Sequence, residues 1–154
     1  MISEQEQAQI RLLSDYELYP QAVELIKGIG RPLPATQING LLNVSLGCTY
    51  NELKSFVTFQ HRRTTWGPKD QHIHEFYRRL ALKIEDLEKV SRTIAKNRHK
   101  EDEQAISMAL AREFIQHLLA ENAYRDAMKA FDTARSDEQR RDQRKPFTRG
   151  GQAR

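Results

Sequence analysis

A single cysteine, Cys48, excludes an internal disulfide. Its neighbours Leu46, Gly47 and Thr49 offer no activating base, so a plain buried or half-buried thiol is expected there. The seven glycines make no phosphate-cradling loop after a strand-like run, which leaves out P-loop and dinucleotide chemistry. A Gly-x-Ser-x-Gly elbow is missing, as is any Cys–His pair in recognisable context. Hairpin dipeptides flanked by alternating apolar residues are missing as well, so strands are not expected. Apolar residues make up only 38% of the chain, and no apolar run approaches bilayer length. The first residues carry no basic-then-apolar leader pattern, and the expectation is a soluble, cytoplasmic protein without a membrane partner.

What is present reads as helix throughout. The expected fold is all-α: a compact bundle of about five helices over residues 1–134, followed by a disordered basic tail over 135–154. The first helical region covers about 3–28, with Leu18, Ala22, Leu25, Ile26 and Ile29 at helical spacing; Pro20 interrupts it or opens its second piece. "GIGRPLP" (28–34) is a stop and a stiff connector. A second helix runs from about Ala35 to Leu46. Thr49-Tyr50-Asn51-Glu52 spells a capping box for a third, which should run to about Thr65. Its wheel turns Leu53, Phe56, Val57 and Phe59 inward and Lys54, Thr58, His61, Arg62 and Thr65 outward.

A fourth helix begins near Asp70. Ile73, Tyr77, Leu80, Ile84, Leu87, Ser91 and Ile94 alternate at spacings of four and three, a coiled-coil-like seam broken only by Ser91. Such a seam wants a long partner, and residues 102–134 supply one. The apolar arc of that partner shifts, however, from Met108, Ala111, Ile115, Leu118 and Leu119 to Tyr124, Ala127, Met128 and Phe131. Either the helix bends near 120–123 or its last turns meet something else, another chain included; Tyr124, Met128 and Phe131 are the candidate subunit contacts. The tail, "RSDEQRRDQRKPFTRGGQAR", is nearly devoid of apolar residues and carries seven Lys/Arg against three acids.

Only one stretch looks like chemistry. "HRRTTWGPKDQHIHEFYRR" (61–79) gathers three of the five histidines, four arginines and the only tryptophan. His72 and His74 are two apart and diverge on a helix. His72 and Glu75 share a face without a second copy elsewhere, and Glu113 with His117 is another lone pair, so neither a metal nor a cofactor is expected. A nucleic-acid face fits better: residues 54–83 hold seven Lys/Arg against two acids, Asp70 and Glu75. The candidate RNA contacts are Lys54, His61, Arg62, Arg63, Lys69, Arg78 and Arg79, with Trp66 as base stacker or loop anchor. Arg63 sits near the apolar side and would snorkel outward. Arg78 and Arg79 flank the seam, where solvent-exposed neighbours of a packed stripe are the plain alternative.

The order of these features resembles the small helical subunit of type III-A (Csm-type) CRISPR RNA-guided interference complexes. Leu33-Pro34-Ala35-Thr36-Gln37-Ile38-Asn39 lies where that family has its Leu-Thr-Thr-Ser-Gln-Ile/Leu-Arg opening, with asparagine at the arginine position. Glu52-Leu53 through Gln60-His61-Arg62-Arg63 is similar to its basic-ended middle helix, with Trp66-Gly67 near the place of a Tyr-x-x-Gly-Arg ending. Phe76 with Leu80, then Phe114 and "AENAY" (120–124), complete the likeness, which spans about residues 33–124. The resemblance implies a non-catalytic subunit present in several copies along a filament. It would contact single-stranded target RNA and guide RNA, other effector subunits, and its own neighbours. Base pairing would read the sequence, and the protein only the backbone. The competing reading from the residues alone is a helical protein–protein adaptor with merely solvated charges.

Overall fold

The computed structural model describes residues 1–63, 66–96 and 98–144. The described residues are helical with short connectors, and no strand occurs among them. Helix α1 (Glu4–Leu13) starts on a capping box of its own: Ser3 Oγ accepts from the Glu6 N–H, and the Glu6 carboxylate accepts from the Ser3 N–H. A π-helical turn, Ser14–Leu18, joins it to α2 (Tyr19–Ile29). Pro20 sits at the first turn of α2, and the wider π turn ahead of it accommodates the ring and the missing N–H. Gly30, at φ 77°, adopts the left-handed conformation that closes α2.

Pro32 and Pro34 then stiffen the link to α3 (Ala35–Gly47). The capping box of Thr49 and Glu52 forms as spelled and opens α4 (Tyr50–Arg62). That helix ends at Arg62, three residues short of the expected Thr65; Arg63 is already extended, and Thr64 and Thr65 lie outside the described residues. A 3₁₀ turn (Pro68–Asp70) leads into α5 (Gln71–Ala95), which stops at Lys96 in the left-handed region, φ 48°. Helix α6 (Lys100–Arg144) is the longest element.

The seam on α5 packs as its spacing demands. Ile73, Tyr77, Leu80, Ile84, Leu87, Ser91 and Ile94 are all buried, against α6 on one side and α4 on the other. The polar break is matched: Ser91 Oγ donates to the Leu87 carbonyl at 2.7 Å and receives the Ser107 hydroxyl of α6 at 2.8 Å. On α6 the buried face runs from Ile106 through Leu110, Phe114 and Leu118 to Asn122. Asn122 is the last buried residue of the helix. Its amide grips the connector after α2, accepting from Leu33 N–H at 2.7 Å and donating to Leu33 C=O at 3.3 Å.

Two expectations change here. Phe59 points to water, 64% exposed, because it lies about 120° round the wheel from Leu53, outside the Leu53–Phe56–Val57 arc. The basic tail does not begin at Arg135: α6 continues as helix through Arg144. Gln, Glu and Arg are good helix formers, no proline intervenes before Pro146, and Asp137 precedes Arg141 by one turn. The expected disorder of 145–154 falls outside the described residues.

Candidate nucleic-acid interface

The elbow between α4 and α5 gathers the candidate cations, but carboxylates already hold several of them. Lys54 Nζ lies 2.6 Å from Glu88 on α5, which also accepts the Tyr50 hydroxyl. Arg78 and Arg79 share one acid: Glu75 takes two bonds from Arg78, at 2.6 and 2.8 Å, and one from Arg79 Nε at 2.8 Å. Hydrogen bonds from these two guanidinium groups push the Glu75 carboxyl down to about 2. Arg79 also lies against the backbone of Gly28 in α2, where a side chain would collide with its guanidinium. The i, i+3 and i, i+4 spacing from Glu75 makes these pairs a local consequence of the helix. Lys54, Arg78 and Arg79 thus each have an intramolecular carboxylate partner while staying partly exposed.

The rest of the elbow is more open. Arg62 and Lys69 are exposed and enter no ion pair among the described residues. Arg63 is exposed and reaches back over the Trp66 ring, 4.8 Å from its centroid, a cation–π contact in place of the expected snorkel. Trp66 is half-buried, packs on the core, and donates from Nε1 to the Gln60 carbonyl at 2.9 Å. Of its two expected roles, loop anchor is the one its contacts serve. His61 packs beside His74, ring centroids 5.5 Å apart. Among the described residues no group of three or more His, Cys, Asp or Glu could hold a metal.

The Glu113–His117 pair on α6 turns out to have a third member. Ser14, buried in the π turn, lies 2.7 Å from Glu113 Oε2 and 2.8 Å from His117 Nε2. With its single proton given to the carboxylate, Ser14 must accept from an Nε2–H, the tautomer the network assigns. An activated serine needs the reverse, a histidine nitrogen accepting its proton. The trio ties α1 and α2 to α6, and Tyr19 packs edge-on to His117 at 5.4 Å.

The arm of α6 was legible in part. Beyond Asn122 every described residue is exposed except half-buried Arg125, and Tyr124, Met128 and Phe131 are 60%, 41% and 61% exposed. The helix resolves its two apolar faces by leaving the bundle. Where it leaves, it forms with the end of α2 a groove of about 760 Å³. Lys27 approaches from α2, Arg31 from the connector after it, and Arg125, Lys129 and Arg140 from α6. Sequence reading missed this cluster because its two halves lie about a hundred positions apart. The only local signal is Arg125, Lys129 and Arg140 at spacings of four and eleven, which share a helix side.

No protein-family model, curated protein or solved structure matches the chain. The fold and the site define an all-α bundle whose longest helix runs on beyond the body. No helix of the described residues is long and apolar enough to cross a membrane.

Proposed function

We propose that the chain is a non-catalytic small subunit of a cytoplasmic RNA-guided effector complex of the type III CRISPR kind. It would touch target and guide RNA through their backbones and neighbouring subunits through α6. The observation that carries the assembly role is the free half of α6, 22 residues beyond Asn122, or about 33 Å of helix. Tyr124, Met128 and Phe131 lie on one side of it, and each stabilises a docked partner by about 2 kcal/mol if fully buried. A partner for this helix also explains a seam whose apolar arc outlasts its own bundle.

The RNA part rests on the resemblance and on the cations. At the elbow it is carried by Arg62 and Lys69, since Lys54, Arg78 and Arg79 hold internal acids. Each phosphate neutralised on a single strand steepens the fall of log affinity with log salt by about 0.7. Replacing Arg62 and Arg63 together by alanine flattens that slope if the strand crosses the elbow; an unchanged slope moves it elsewhere. The whole reading is tested by purifying the tagged chain from its native cell. Co-elution with a larger particle containing short RNA is expected, and a lone chain free of RNA refutes it.

The ion-paired elbow favours one second reading, a protein–protein adaptor that meets its partner through the arm alone. In that case charge-neutral variants of the arm, Tyr124→Ala with Phe131→Ala, abolish partner capture, and no cationic variant alters it.

A further inference from the structure

We propose that the groove between the end of α2 and the free half of α6 is a channel for single-stranded nucleic acid. The inference rests on the RNA part of the proposed function and places the strand away from the elbow. Two elements bring five cations to this groove against two acids, Asp132 and Asp137. Arg125 is held by Glu121 at 2.8 Å. Lys27, Arg31, Lys129 and Arg140 enter no ion pair among the described residues. At the elbow, by contrast, three of the candidates share two carboxylates of α5.

The layout suits a strand. Lys129 and Arg140 are eleven residues apart on one side of α6, about 16 Å along the axis, so their charges form a track. Lys27 and Arg31 face it from the end of α2, where they outweigh the partial negative charge of that helix C-terminus. Tyr124, on the groove wall and largely exposed, presents a ring on which a base can stack whatever its identity. An acidic helix would seek a broad apolar stripe. On the arm that stripe, Ala127, Phe131 and Ala134, lies round the helix from Lys129, outside the groove. Tyr124 and Met128 line the groove as well as continuing that stripe, and Phe131 is the part of the apolar side that stays outside it.

The test is fluorescence anisotropy of a labelled oligouridine with the full chain over a salt series. Three reversals in the groove, Lys27→Glu with Arg31→Glu and Lys129→Glu, should weaken binding at least tenfold. They should also lower the salt slope by about 2, at about 0.7 per phosphate contact. Two reversals at the elbow, Arg62→Glu with Lys69→Glu, should leave affinity within twofold, and Tyr124→Ala should weaken binding without changing the slope. Unchanged far-UV circular dichroism shows that the variants are folded. Loss with the elbow variant and not with the groove variant overturns the channel while the RNA reading stands. No binding by the wild-type chain even at low salt overturns both. Polyglutamate that binds as tightly and displaces the oligouridine overturns the channel in favour of an acidic protein partner.

Discussion

Removing the amide of Asn122 should cost more than any other single polar change on α6. Both ends of that amide are used, on the N–H and the C=O of Leu33, at 2.7 and 3.3 Å. Asn122 is 3% exposed and Leu33 5%, so water cannot replace the lost partners without opening the connector. Asn122→Ala leaves two buried backbone groups unsatisfied, each costing about 1–3 kcal/mol, and the longer bond belongs at the low end. The expected loss is about 3 kcal/mol, or roughly 6–12 °C in Tm at this chain length. Urea unfolding followed by far-UV circular dichroism measures it, with Asp126→Ala as control. That residue is exposed one turn later on the same helix, and its loss should stay within about 0.5 kcal/mol. A cost below about 1 kcal/mol for Asn122→Ala, or one equal to the control, would refute the clamp. The groove would then lack the fixed α2 wall on which the channel depends.

The depressed Glu75 carboxyl has a defined sign. Its folded value, about 2, lies below its ordinary 4.5, so its stabilisation is complete above about 4.5 and fades as pH falls toward 2. After allowance for solvent screening it amounts to on the order of 1 kcal/mol; Glu75→Gln should remove that part of the acid dependence, read from urea midpoints between pH 5 and 2. Gly28→Ala should be close to neutral in the native chain, because the gain in helix propensity, about 1 kcal/mol, is spent displacing the Arg79 guanidinium. In an Arg79→Ala background the same change should stabilise, and equal melting shifts in both backgrounds would contradict the contact. Ser107→Ala should cost about 1 kcal/mol; Ser91→Ala with Ser107→Ala together should cost less than the two singles summed, as a thermal double-mutant cycle will report.

Local periodicity made much of the architecture legible. All seven seam positions on α5 are buried because a 3–4 alternation leaves a helix a single face to hide, and its partner lies next in the chain. The Thr49–Glu52 box formed because its hydrogen bonds span three residues and need no tertiary neighbour. Phe59 was misplaced by letting one aromatic widen an apolar arc. The elbow shows a different limit. Net charge along a segment counts cations, whereas availability depends on which acid stands opposite. The Arg78 and Arg79 pairing with Glu75 was readable from i, i+3 and i, i+4 spacing; the Lys54–Glu88 pair, 34 residues apart, was not.

By itself the sequence determined that this chain is helical, where its helices start, which face of α5 is covered, and that α6 carries two incompatible apolar arcs. These follow from backbone hydrogen bonding and residue spacing within a few turns. Only the tertiary structure decided that α6 answers its conflict by extending past Asn122 as an arm. Only it could decide that Lys27 and Arg31 meet Lys129 and Arg140 across a groove, while Lys54, Arg78 and Arg79 at the elbow pair with acids of α5. Charges from distant segments share a field only once packing has fixed the distance between them, and that distance is a property of the folded core.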